Sequence, residues 1–286
     1  MIFADLVFIY LFLPINLIVY YQCTDKRYRN IVLVLFSLFF YAWGEPVWIV
    51  LLIFSAFLDY SCALVIDKNR GKLKAKMALA TSLILNLGLL IIFKYSGFIV
   101  ENINILLGTD FIFKSFALPI GISFYTFQTI SYTIDVYKEK TKVQYSFLNF
   151  LMYVSLYFQL VAGPIVRYSD VADQIENRQE KIENISEGLN RFCIGLTKKV
   201  IIANVAGRLS KPYLGGNFAD LSIMGAWFGA ILFTIQIYYD FSGYSDMAIG
   251  LGNMFGFKFN ENFNYPYISK SITEFWRRWH ISLGSF

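Results

Sequence analysis

Polar positions are scarce along this chain, and where they fall predicts its elements. Nearly every residue from 31 to 66 is apolar, with one interruption, Trp-Gly-Glu-Pro at 43–46. As a single helix, at 1.5 Å per residue, that run would reach about 54 Å, against a hydrocarbon core of roughly 30 Å. The run must therefore fold back, and Gly-Glu-Pro is its turn. The flanking stretches TDKRYRN and DKNRGKLKAK then lie on the same side and carry three and five Lys or Arg. That excess predicts a cytoplasmic side for them and an outside N-terminus. The first run, LVFIYLFLPINLIVYY, reads as a transmembrane helix; it has no basic segment before it and no small-x-small cleavage site after it.

Further apolar segments are predicted at 77–93, 116–137, 147–162, 189–205 and 223–255. The last is long enough for two helices, with Ser242-Gly243 as the expected break, and the polar stretch 177–187 reads as an interfacial loop or short helix. The alternation of a porin-like barrel is missing. The expectation is an all-α polytopic membrane protein, one membrane domain over 1–286, with no internal repeat or linker. Composition agrees: 57% hydrophobic, 19% aromatic and only 16% charged, where a soluble domain sits near half apolar and a quarter charged. The net charge of +5 comes from basic residues at helix ends and is not read as a nucleic-acid signal. Cys23, Cys62 and Cys193 are too far apart in sequence for a disulfide framework or a zinc motif.

Candidate chemistry gathers in four places. TEFWRRWHISLGSF, at 273–286, holds His280, the only histidine. Ser271-Ile-Thr-Glu274 fits a capping box, so a helix is predicted from near Ile272 through the rest of the stretch. At 100° per residue, Ile272, Phe275, Trp276, Trp279, Leu283 and Phe286 then share one face, and Glu274 and Arg278 pair on the other. Thr273, Arg277, His280 and Gly284 form a border stripe. One reading is an interfacial helix with Trp276 at the headgroups and Arg277 reaching phosphates. The other is an imidazole at the wet edge of a membrane cavity, suited to general-base work. The two are compatible.

In YYDFSGYSDMAIGLG, helical geometry puts Gln236, Asp240, Gly243 and Tyr244 on one stripe and turns Asp246 elsewhere. Intramembrane carboxylates are functional candidates by default, with an interhelical hydrogen bond as the alternative. Gly252 and Gly256 are read as close helix packing. In LPIGISFYTFQTISYTIDVYK, the residues Gln128, Ser131 and Asp135 share a face. In QLVAGPIVRYSD, Gly163-Pro164 ends a helix and Arg167 follows, facing a headgroup or a phosphate. Asp59 is read as a buried hydrogen-bond partner. A single histidine leaves no multi-histidine metal site, and Walker A, HExxH and GxSxG patterns are missing.

These three stretches and NFNYPYISKSITEFWRRWHISLGSF, in chain order, closely resemble the bacterial branch of the membrane-bound O-acyltransferases, whose members acetylate alginate or peptidoglycan or D-alanylate teichoic acids. The resemblance implies helices around a funnel or tunnel joining the two faces of the bacterial cytoplasmic membrane. It implies transfer of an acyl group, acetyl first among the options, from a cytoplasmic thioester donor (acyl-CoA or an acyl carrier protein) to hydroxyls of an exported cell-surface polysaccharide. A periplasmic or extracellular transferase partner belongs to that picture; a metal or bound cofactor does not. His280 matches the family's WHIS histidine and is the catalytic candidate. Arg277, Trp276, Asp240, Tyr244, Asp246, Gln128, Asp135 and Arg167 are candidates for the tunnel or substrate site. Relatives continue past this motif with an Arg-Asp-Tyr and Pro-Leu-Gly-Gly loop and helices carrying a second histidine, so the 286 residues are expected to be an N-terminal portion, inactive alone. The alternative of another class is a transporter or channel with Asp59, Asp135 and Asp240 as a polar path; inverted repeats or paired broken helices would mark it, and the sequence shows no such repeat.

Overall fold

A computed structural model describes residues 1–111, 118–160, 163–215 and 221–285. Among them every regular element is helical and no strand occurs. The fold is all-α. Its helices are α1 (Leu13–Gln22), α2 (Lys26–Gly44), α3 (Ile49–Lys68), α4 (Leu73–Leu107), α5 (Ile122–Tyr137), α6 (Phe147–Ser155), α7 (Tyr157–Leu160), α8 (Tyr168–Asn177), α9 (Ile182–Thr197), α10 (Asn204–Leu214), α11 (Ile223–Met254), α12 (Ile272–Arg278) and α13 (Ile281–Gly284). They fall into two compact units, Met1–Val19 with Ala162–Val166 and Glu176–Phe286, and Tyr20–Val161 with Arg167–Ile175.

In the unit that begins at Tyr20, α2 and α3 are joined by the turn expected at Gly-Glu-Pro. Helices α3 and α4 are long and apolar enough to cross a membrane, with mean hydropathies of 2.4 and 2.0. Lipid leaves no partner for stray backbone groups, so an apolar run there must be helical throughout. Helix α4 runs from Leu73 to Leu107, about 52 Å of rise and far longer than the predicted 77–93. Hydropathy marked only its greasy stretch; Lys74, Lys76 and Glu101 continue the helix beyond it. The predicted segment 147–162 is not one helix. Leu156 leaves the helical region (φ −46°, ψ 112°) and separates α6 from the short α7; positions 161–162 lie outside the described residues. So does the start of the segment predicted at 116–137, whose described helix begins at Ile122, after Gly121 at φ +78°. Asp59 is fully buried between α3 and α4: the Ser82 hydroxyl donates to one oxygen and Asn86 Nδ2 to the other at 2.8 Å.

The other unit is built on α9 and α11. The predicted segment 189–205 starts too late, because α9 begins at Ile182 and recruits polar Glu183, Asn184 and Glu187. The helical path continues without a break through a π-helical stretch, Lys198–Ala203, into α10. The expected interruption of α11 at Ser242-Gly243 is not there; one helix spans Ile223–Met254. Gly243 serves a close approach instead. A Cβ on Gly195 would sit 2.5 Å from the Gly243 oxygen, and one on Gly250 would sit 2.6 Å from the Gly188 oxygen. The spacing of seven repeats on both helices, so two glycine pairs let α9 and α11 touch backbone to backbone. Gly252 and Gly256 are not such contacts. A Cβ on Gly252 would meet the Phe259 ring at 2.7 Å, and Gly256, at φ +81°, ends α11 in the left-handed turn that glycine favours.

Candidate active site

Beyond Gly256 the chain runs without regular structure to Asn264, makes a single 3₁₀ turn at Pro266–Ile268, and enters α12. Ser271 caps that helix, accepting the Glu274 N–H at 3.1 Å. The reciprocal arm differs from a capping box, since the Glu274 carboxylate accepts from Lys270 N–H, one residue earlier, at 3.0 Å. The Lys270 N–H and Arg278, which lies 2.9 Å away, hold the Glu274 carboxyl below the usual range.

The single helix predicted through Phe286 is overturned at its centre. Helix α12 ends at Arg278, Trp279 is extended, and His280 sits in the left-handed region at φ 47°, ψ 55° before α13 starts. His280 therefore does not share a helical stripe with Thr273, Arg277 and Gly284. Two contacts explain the break. The Trp279 ring stacks on Phe275 at 5.6 Å and meets Phe263 edge-on at 5.1 Å. The incoming strand of chain also captures the backbone: Asn264 N–H donates to Arg278 O and Ile281 N–H to Asn262 O, each at 2.9 Å. A non-glycine residue held left-handed costs roughly 1–2 kcal/mol, and such positions cluster at functional sites.

His280 is half-buried, and burial lowers its pKa below the ordinary imidazole value, which favours the neutral ring. Its ring meets Phe241 edge to face at 4.7 Å and 87°. Its Nδ1 lies 3.0 Å from Asn262 Oδ1 and 3.2 Å from Ser282 Oγ.

Next to this group lies a polar cavity of about 460 Å³, lined by Ile281, Ser242 and four charged side chains. The four belong to one network. Asp246 receives Arg191 at 2.7 Å and Lys198 at 2.6 Å, and Arg191 also binds Glu261. The π-helical turn presents successive lysines to two acids, Lys198 to Asp246 and Lys199 to Asp240. An aromatic groove of about 540 Å³, with Trp227, Tyr239 and Tyr267 in its walls, shares Lys198, Tyr238 and Tyr265 with the polar cavity. Of the candidates named from sequence, Asp246 lines the polar cavity. Asp240, Tyr244, Arg277, Trp276 and His280 itself line neither, although Ile281, the residue after His280, lines the polar cavity; Tyr244 stacks on Phe3 at 4.7 Å, and Trp276 and Arg277 are exposed. Gln128, Asp135 and Arg167 belong to the other unit. There Gln128 is buried and donates to Tyr153 O at 3.2 Å, while Asp135 and Arg167 are half-buried.

Sequence reasoning missed Arg191, Lys198, Glu261 and Asn262. The first three partner Asp246 or each other across 48 to 70 residues. Only the glycine spacing shared by α9 and α11 could have set that register. Among the described residues no three His, Cys, Asp or Glu side chains converge to hold a metal.

Residues 136–286 match the membrane-bound O-acyltransferase family. The chain is 42% identical over 291 aligned residues to the probable alginate O-acetylase AlgI of Pseudomonas aeruginosa, covering 100% of this chain and 55% of that protein. It is 34% identical to the peptidoglycan O-acetyltransferase of Helicobacter pylori, over 100% of this chain and 60% of that protein. To the teichoic acid D-alanyltransferase of Bacillus subtilis it is 32% identical, over 58% of this chain and 42% of that protein. The chain thus spans a little over half the length of the curated O-acetylating relatives it matches. It carries the family's sequence over more than half its length, on an all-helical fold in which α3 and α4 are long and apolar enough to cross a membrane, and it belongs to the membrane-bound O-acyltransferases.

Proposed function

We propose that this chain works in acyl transfer, acetyl transfer first, from a thioester donor at the cytoplasmic face to hydroxyls of an exported cell-surface polysaccharide. The observation that carries the reading is the likeness to alginate O-acetylases along the whole chain. It exceeds the likeness to the peptidoglycan enzyme in identity, and that to the teichoic acid enzymes in both identity and coverage. The basic stretches at 24–30 and 67–76 face the cytoplasm and the N-terminus lies outside, in keeping with the excess of Lys and Arg. The polar cavity and the aromatic groove that meet at Lys198 form part of the funnel.

In this reading His280 takes the proton of the acceptor hydroxyl. The alkoxide attacks the thioester carbonyl, the C–S bond breaks, and the thiolate leaves with the proton returned by the imidazolium. General-base assistance of this kind contributes about 10²–10⁴-fold. Cells carrying a full-length version of the protein, as wild type, His280→Ala or Lys270→Ala, with protein levels matched, test the reading through ester-linked acetyl on the surface polymer. Acetyl should fall at least about tenfold in His280→Ala and stay near wild type in Lys270→Ala, whose side chain lines neither the polar cavity nor the aromatic groove. Equal, wild-type acetylation in both would leave His280 with only a headgroup role. A polymer carrying D-alanine and no acetyl would move the reading to the teichoic acid branch.

A further inference from the structure

The surroundings of His280 decide which of its nitrogens carries the proton. Asn262 is fully buried. Its side-chain oxygen accepts the backbone N–H of Ser282 at 3.2 Å and the Ser282 hydroxyl at 2.8 Å. A backbone N–H can only donate, so the atom facing it is the amide oxygen and the Asn262 side chain cannot be flipped. That same oxygen lies 3.0 Å from His280 Nδ1. Two lone pairs facing each other at that distance would repel, so Nδ1 must bring the hydrogen.

Ser282 leaves the same conclusion. Its hydroxyl hydrogen is engaged by Asn262, and its oxygen accepts Ile165 N–H at 3.0 Å. Nothing remains on it to donate to His280 Nδ1, 3.2 Å away. Asn262 Nδ2, by contrast, is buried with no hydrogen-bond partner among the described residues. The amide is thus oriented for its oxygen at the expense of its nitrogen. The Asn262 backbone adds a further tie, its carbonyl taking Ile281 N–H at 2.9 Å, which anchors the left-handed turn at His280 itself.

We propose that Asn262 is a positioning residue: it holds the neutral His280 ring in its Nδ1–H tautomer and so leaves the lone pair on Nε2 as the proton acceptor. The orientation of one imidazole nitrogen by the bond the other makes is a general device. The catalytic use of Nε2 rests on the proposed acyl transfer; the tautomer itself does not.

Because His280 is the only histidine in this sequence, ¹⁵N-histidine labelling tests the tautomer directly. The detergent-solubilised protein is purified without a polyhistidine tag, and a His280→Gln sample identifies the signals. On the alkaline side of the ring's titration, wild type should show one species, with hydrogen on Nδ1 and a bare Nε2. Asn262→Asp, which keeps an accepting oxygen, should retain that species. Asn262→Leu should lose it, giving Nε2–H or a mixture. A wild-type ring protonated at Nε2 would overturn the assignment, as would an Asn262→Leu spectrum identical to wild type. Should Asn262→Leu fail to fold, the wild-type and Asn262→Asp spectra decide alone; a shift to Nε2–H in Asn262→Asp counts against the proposal. The two readings fail separately. Loss of acetylation in His280→Ala with a wild-type Nε2–H ring would sink the tautomer and spare the function. An Nδ1–H ring with unchanged acetylation would do the reverse.

Discussion

Gly195→Ala is expected to destabilise the α9–α11 unit by about 3 kcal/mol, the upper part of the range for forcing extra volume into a packed site. The added methyl would lie 2.5 Å from Gly243 O and 2.7 Å from Met247 N. Both are backbone atoms of α11, so no rotamer change can make room and the helices must part. Gly250→Ala meets the mirror situation, 2.6 Å from Gly188 O and 2.7 Å from Phe192 N, and should behave alike. Gly88→Ala, in α4 with nothing within 4 Å, is the control. It gains helix propensity of up to about 1 kcal/mol and should unfold at the same temperature as wild type or above it. Thermal unfolding of the solubilised protein ranks the three. Gly195→Ala unfolding with Gly88→Ala would mean that α9 and α11 do not meet at these glycines.

Removing the carboxylate of Asp246 should come next in size. It accepts from two cations at once, and only 13% of its side chain is exposed. Asp246→Ala strips Lys198 of its partner and leaves Arg191 to Glu261 alone. Charge-assisted hydrogen bonds with little solvent access contribute about 1.5–3 kcal/mol, so a loss of about 2 kcal/mol is expected. Asp240 also meets a lysine, but its side chain is 43% exposed; pairs that water can screen contribute under about 1 kcal/mol. Unfolding temperatures of Asp246→Ala and Asp240→Ala should differ in that order. The reverse order would place the weight of the network on Lys199 and Asp240.

These two expectations also show where reading from sequence stops. Lipid forbids unpaired backbone groups, which forces long apolar runs into helices, so α2, α3 and the turn between them could be anticipated from residues 31–66 alone. Helix ends could not. Apolar length says where a segment is greasy, while the helix of α4 continues through lysines and a glutamate that water tolerates equally well. Breaks are harder still. Leu156 leaves its helix with no proline or glycine to announce it, and RRWHISLG gives no local reason for the chain to stop at Arg278. The reason is tertiary: Asn262 and Asn264 capture the backbone at His280, and Phe263 and Phe275 hold Trp279. The same holds for chemistry. Asp246 could be singled out as an acid in an apolar segment, and His280 as the sole imidazole. Arg191 and Asn262, which determine what those two can do, become visible only once the helices are paired.

If His280 handles a proton during acyl transfer, its loss must show in the initial rate of ester formation. Membranes from cells expressing a full-length version of the protein, wild type or His280→Ala, are given labelled acetyl thioester and a hydroxyl-bearing polysaccharide, and ester formation per mole of enzyme is followed. A drop of about 10²-fold or more in His280→Ala, with Lys270→Ala close to wild type, is the expected result. Transfer by His280→Ala at the wild-type rate would contradict it.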